Sequence, residues 1–193
     1  MKPRKWQKDA LDIWKKDKRG IVKVVTGGGK TIFACLCIDH LRKSNLENFQ
    51  VVIFVPSLML LDQWEVEVSH FFKNKVSIST CSGNSKPDYQ SQVIISTLDS
   101  GKKLTKNLRK RENIFCIVDE CHRAGSEKRS ECIRYDWGFT LGLSATPERE
   151  HDDAFEEILV PFLGSVMYVY DYQSALRDGV ISSFDLINIY VPL

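Results

Sequence analysis

The sequence predicts an α/β domain, a mostly parallel sheet with helices on both faces. Three observations lead there. Short runs of β-branched and other apolar residues alternate along the chain with longer stretches of helical periodicity. The first run, Ile21-Val22-Lys23-Val24-Val25, leads through three glycines into a helical stretch whose apolar face continues to Leu41. The run Ile114-Phe115-Cys116-Ile117-Val118 is apolar at every position, as a strand buried on both faces must be.

In chain order, a helix is expected over 4–16, with Trp6, Ala10, Ile13 and Trp14 on one face, then a strand over 21–25 and a helix over 30–43. A strand at 51–55 precedes a helix at 58–72, whose stripe of Leu61, Trp64, Val68 and Phe71 or Phe72 is assigned to core packing. Strands follow at 76–80, 92–96 and 114–118, then a helix at 126–135 and a strand at 139–143. The remaining expectations are a helix at 151–159, a strand at 165–170, a helix at 172–178 and a strand at 184–191. No internal repeat or low-complexity linker interrupts the series.

Composition bounds the rest. With 193 residues, 43% of them hydrophobic, the chain can bury one substantial core. No apolar stretch is long enough to cross a bilayer, and the N-terminus lacks a signal-peptide core, so no membrane partner is expected. Cys35, Cys37, Cys81, Cys116, Cys121 and Cys132 show no C-x-x-C spacing and are read as reduced, mostly buried thiols of an intracellular protein, cytoplasmic or nuclear. The net charge of +2 hides an uneven distribution: residues 1–23 and the run from Lys102 to Arg111 are basic, and the chain beyond 147 is acidic. That asymmetry suits a polyanion on one side, and equally suits solvated helix faces.

Chemistry concentrates at two junctions. Thr26-Gly27-Gly28-Gly29-Lys30-Thr31 lies between a strand and a helix, where glycines let the backbone approach phosphate oxygens and the helix N-terminus presents N–H groups. Lys30 can reach β- and γ-phosphates, and the Thr31 hydroxyl can ligate Mg²⁺. The general pattern places a further glycine where this chain has Val24. A flexible βα turn is the plainer reading of the loop alone. The second junction is Asp119-Glu120-Cys121-His122, at the carboxyl end of the buried run 114–118, the edge at which open α/β sheets bind ligands. Adjacent carboxylates there suit a Mg²⁺ site, with Asp119 on the metal and Glu120 deprotonating water; a helix N-cap pair is the plainer alternative.

Further motifs carry a family resemblance. Arg4-Lys5-Trp6-Gln7 resembles the Arg-x-aromatic-Gln element that precedes the phosphate loop in superfamily 2 helicases and translocases, and Val55-Pro56-Ser57 through Gln63-Trp64 looks like their motif Ia. Ser96-Thr97-Leu98-Asp99-Ser100 resembles their next nucleic-acid-contacting loop, Asp119 to His122 a DExH-type motif II, and Ser144-Ala145-Thr146-Pro147 motif III. The motifs cover residues 4–147 in the family's order.

The resemblance implies a RecA-like P-loop domain using ATP and Mg²⁺. It gives Gln7 the adenine edge, with Arg4 supporting that pocket, and leaves Trp6 as a helix anchor. Ser57, Gly83 and Thr97 would meet a sugar–phosphate backbone, while His122, Ser144, Ala145 and Thr146 would couple the γ-phosphate state to domain closure. Motif Ia and the segment from Tyr170 to Ile181 are similar to the repair-helicase and restriction-enzyme-subunit group, which favours duplex DNA over RNA as partner. Residues 1–164 are expected to form the first motor domain, and 165–193 an extension leading towards a second RecA-like domain in cis. The chain is therefore expected to be monomeric, with weak nucleotide affinity and little turnover alone. Two readings remain open: an ATP-driven motor on nucleic acid, and a nucleotide-gated clamp without processive movement. Intact Lys30, Asp119 and Glu120 favour the motor.

Overall fold

A computed structural model describes residues 2–108, 113–146 and 155–182. Its centre is a seven-stranded sheet in which every pairing is parallel. The strands are β1 (Ile21–Val24), β2 (Gln50–Val55), β3 (Ile78–Cys81), β4 (Val93–Thr97), β5 (Ile114–Asp119), β6 (Phe139–Ser144) and β7 (Val166–Tyr170), in the order β3-β4-β2-β5-β6-β1-β7. The expected α/β class with a parallel sheet is the architecture found.

Alternate residues on the central strands feed two separate cores, one on each face of the sheet. Val51, Ile53 and Val55 of β2 join Phe115 and Ile117 of β5 in the core beneath α1 (Lys5–Asp17), α2 (Lys30–Lys43) and α3 (Leu58–Phe71). Val52 and Phe54 join Ile114, Cys116 and Val118 in the opposite core. That core lies under α4 (Leu98–Asn107), the short α5 (Glu127–Ser130) and α6 (Val160–Leu163). Two-sided burial is why these strands read as continuous apolar runs rather than as alternating ones.

Several expectations shift. Leu98–Asn107, for which no helix is expected from the sequence, is helix α4. Its Gly101 sits where a Cβ would come within 2.4 Å of Cys132 Cβ and 3.0 Å of Phe54, so the glycine serves a close helix–core approach. The helix expected over 126–135 closes after Ser130, because Cys132, Ile133 and Tyr135 turn back onto carbonyls two or three residues earlier. Within the helix expected at 151–159, the described part is a π-turn, Phe155–Leu159, leading into α6 with Pro161 in its first turn. β7 pairs with β1 as the edge strand of the same sheet, and α7 (Tyr172–Arg177) follows it. The expected strand 184–191, Pro147, and Arg109 to Arg111 of the second basic run lie outside the described residues. All six cysteines are free and buried. Among the described residues no helix is long and apolar enough to cross a membrane.

Candidate functional site

Because all strands run the same way, the turns after β1, β2, β4, β5 and β6 open on one edge of the sheet. That edge holds the loop 26–29, Ser57, Thr97, Asp119 and Ser144, so residues far apart in sequence become neighbours through topology alone.

The loop after β1 has Gly27 at φ 77° and Gly29 at φ 97°, left-handed conformations that cost a side chain but not glycine. Gly28 is excluded from having a side chain for a different reason: its Cβ would lie 2.5 Å from Val24 Cγ1. The neighbour is Val24, which departs from the general glycine pattern. It is fully buried as the last residue of β1 and packs directly under the loop.

Three side chains at the head of α1 brace the same loop. The Arg4 guanidinium donates to the Gly28 carbonyl at 2.7 Å, the Trp6 indole donates to that oxygen at 3.1 Å, and the Gln7 amide donates to the Gly29 carbonyl at 3.0 Å. Gln7 Oε1 accepts from the Arg4 backbone N–H at 2.9 Å. Both ends of the Gln7 amide are thus engaged within the protein, and the residue is buried. Trp6 is stacked on Tyr170 at 5.1 Å and tilted against Phe33 at 5.5 Å, which makes it an anchor. Carbonyls held from behind, together with the Gly28 N–H donating to the Val25 carbonyl at 2.9 Å, fix the shape of the loop at the head of α2.

Lys30 and Thr31 open α2. The Lys30 ammonium is bonded to the Glu120 carboxylate, across the end of β6, which separates β1 from β5. Asp119, the last residue of β5, is only 6% exposed. Burial pushes its carboxyl up from the ordinary value, opposed by the Trp64 hydrogen bond and the Lys30 charge. Its Oδ2 accepts from Trp64 Nε1 at 2.8 Å and its Oδ1 from the Glu120 backbone N–H at 3.0 Å. Glu120 stands at φ 46°, ψ 52°, a left-handed conformation that turns its carboxylate back over the sheet edge towards Lys30. His122 Nδ1 lies 2.8 Å from Ser144 Oγ and 3.5 Å from Glu120 Oε2, and Ser144 Oγ also accepts from the Thr146 N–H at 3.1 Å. Ala145 carries the chain between those two partners.

Ser57, Gly83 and Thr97, three residues from three loops, line one cleft of about 430 Å³. Ser57 caps α3, its hydroxyl accepting from the Leu60 N–H at 3.4 Å; the Gly83 N–H donates to Ser100 Oγ at 3.0 Å. Ser100, the last residue of the motif Ser96 to Ser100, and Lys103, from the basic run that begins at Lys102, share the cleft. A larger cavity, about 1110 Å³, lies along α3 around Glu65 and Phe71 and contains none of the expected site residues.

No group of three or more His, Cys, Asp or Glu poised to hold a metal exists among the described residues. A hydroxyl from Thr31 and one buried carboxylate from Asp119 are instead the sparse oxygen set that suits Mg²⁺, which keeps its waters and takes phosphate oxygens as further ligands.

Residues 1–149 match the family described as the res subunit of type III restriction enzymes. The chain belongs to that family. Its all-parallel sheet has the RecA-like fold of superfamily 2 helicase domains. DNA 3'-5' translocase XPB2 of Sulfurisphaera tokodaii is 28% identical over 191 residues, covering 98% of this chain and 40% of that protein. Putative helicase 22 of a Sulfolobus islandicus filamentous virus is 29% identical over 205 residues, covering 98% of this chain and 35% of that protein. The chain thus spans well under half the length of these curated relatives. In fold it is similar to the Hef helicase domain of Pyrococcus furiosus, with a TM-score of 0.72 at 18% identity over 91% of this chain and 40% of that one.

Proposed function

We propose that this domain is the ATP-binding half of a DNA translocase or helicase, completed by a second RecA-like domain in cis. The observation that carries the reading is the meeting of Lys30, Asp119 and Glu120 at the carboxyl edge of the sheet, beside a glycine loop whose carbonyls are tied back. A binding-only clamp has no use for a carboxylate held beside the phosphate-reaching lysine.

In this mechanism the loop Thr26 to Gly29 and the head of α2 cradle the phosphates, and Lys30 exchanges Glu120 for a phosphate oxygen. Thr31 and Asp119 would hold Mg²⁺, which when bound would supply neutralising charge to the phosphates. Glu120, released from Lys30, takes a proton as water oxygen bonds to the γ-phosphorus and the bond to the ADP oxygen breaks. His122 and Ser144 sense that change, and Ser57, Gly83 and Thr97 hold the sugar–phosphate backbone without reading bases. Gln7 and Arg4 border the adenine pocket while bracing the loop. DNA is favoured over RNA because XPB2 is named a DNA translocase.

Steady-state ATP hydrolysis by the 193-residue chain, with and without duplex DNA, tests the division of labour. Little turnover is expected, since an arginine supplied by a partner domain is worth roughly 10³–10⁵ in rate. Brisk DNA-stimulated hydrolysis by the chain alone would overturn the need for a second domain. Weak DNA binding that falls with salt is expected as well; a flat salt response removes the phosphate-contact role.

A further inference from the structure

Trp64 is 1% exposed and belongs to the apolar stripe of α3, yet its indole N–H does not stop at packing: it donates to Asp119 Oδ2 at 2.8 Å. The other carboxylate oxygen accepts from the Glu120 N–H at 3.0 Å. Two donors, one on each oxygen, fix the plane of a carboxylate that would otherwise rotate about its last torsion. Each oxygen keeps one lone pair for a cation. The backbone donor comes with the turn after β5, whereas the indole is brought from α3.

The same helix begins at Ser57 in the 430 Å³ cleft. Trp64 stands seven residue steps along the helix from Ser57, about 10 Å of rigid rise. A shift of α3 at the cleft is therefore a shift of the donor on Asp119.

We infer that Trp64 is a positioning residue that orients Asp119 for Mg²⁺ and ties that orientation to the position of α3. The inference rests on the proposal that Asp119 holds the metal. Trp64 acts through Asp119 and touches neither nucleotide nor metal. Its loss weakens the metal contact while leaving the nucleotide's own contacts with the glycine loop in place.

The test uses the 193-residue chain and a fluorescent ADP analogue, titrated with Mg²⁺. Trp64→Phe keeps most of the ring volume and removes the donor; Val68→Ala thins the same helix–sheet contact one turn on and removes no hydrogen bond. Trp64→Phe is expected to raise the half-saturating Mg²⁺ concentration about tenfold, the lower end of what loss of a ligand's supporting partner usually costs. Affinity for the analogue without Mg²⁺ should stay unchanged, and Val68→Ala should leave both values unchanged. An unshifted Mg²⁺ requirement in Trp64→Phe overturns the inference, as does an equal shift in Val68→Ala. Asp119→Asn separates the two levels: if it shifts the Mg²⁺ requirement and Trp64→Phe does not, only the Trp64 role fails; if neither shifts it, the metal assignment fails as well. Should Trp64→Phe not fold, the wild-type chain carries the test through the four indole N–H signals of Trp6, Trp14, Trp64 and Trp137 in a nitrogen-15 spectrum. Trp64's signal must move when Mg²⁺ joins the ADP-bound protein, and its immobility overturns the inference.

Discussion

Lys30 and Glu120, ninety residues apart, are bonded to each other across the end of β6. The lysine that would grip a phosphate and the carboxylate that would activate water hold one another, so each must be exchanged before it can act. Glu120→Gln removes the charge that retains Lys30. In the full-length protein it is expected to bind Mg²⁺–ATP at least as tightly as wild type while turnover falls about 10²–10⁴-fold. Equilibrium nucleotide binding and single-turnover hydrolysis check the two halves; unchanged turnover removes Glu120 from the role of base.

Gln7 spans two backbone groups, accepting from the Arg4 N–H and donating to the Gly29 carbonyl. In Gln7→Ala both lose their partner in a part-buried setting, which should cost roughly 0.5–1.5 kcal/mol. Urea denaturation measures that loss. Because the Gly29 carbonyl is no longer tied back, affinity for ATP should fall along with stability, and affinity for inorganic pyrophosphate, which has no adenine, should fall in parallel. Loss confined to ATP would place Gln7 on the base alone.

Ser144 joins His122 on one side and the Thr146 N–H on the other. Ser144→Ala is expected to leave ATP affinity within about twofold, since the residue meets neither the loop nor Lys30, and each factor of ten corresponds to about 1.4 kcal/mol. DNA stimulation of turnover in the full-length protein should be lost. Retained stimulation would mean that coupling runs by another route.

Arg129 forks onto Asp99 at the head of α4, with contacts of 2.9 and 3.2 Å, and holds its carboxyl below the ordinary value of 3.8. A carboxyl whose folded pKa is depressed adds stability above its unfolded pKa and loses it as pH falls through the folded one. Melting curves of wild type and Asp99→Asn should therefore differ at neutral pH and converge only as pH falls through the folded value, which lies below 3.8. Asp99 is more than half exposed, so the difference should stay within about 1 kcal/mol and shrink with added salt.

The residues that announced themselves in the sequence did so by chemistry or by two-sided burial. β2 and β5 could be read because both faces are apolar, and the glycine loop because Gly-Lys-Thr at a strand–helix junction has little other use. Helix α4 stayed hidden because Asp99-Ser100-Gly101-Lys102-Lys103 reads as a polar turn. Its glycine marks close approach to Cys132, a residue three elements away, and no local rule reports that. Trp64 was half legible: helical periodicity placed it on the buried face, but periodicity says nothing about where an indole N–H points. For Gln7 the residue type was visible, and its bonding to a loop more than twenty residues away was not.

The position of β1 in the sheet has a consequence in time. Its partners are β6 and β7, with Ile21 opposite Gly142 and Val166, whereas β2 to β5 pair among themselves from residues 50 to 119. A ribosome delivering about 5–20 residues per second reaches β6, the first of these partners to be made, on the order of ten seconds after β1. Through that interval the strand that carries the glycine loop has no neighbour to pair with, while a four-stranded sheet can already close beyond it. The phosphate loop is thus among the first parts of the chain to be made and among the last to gain its support.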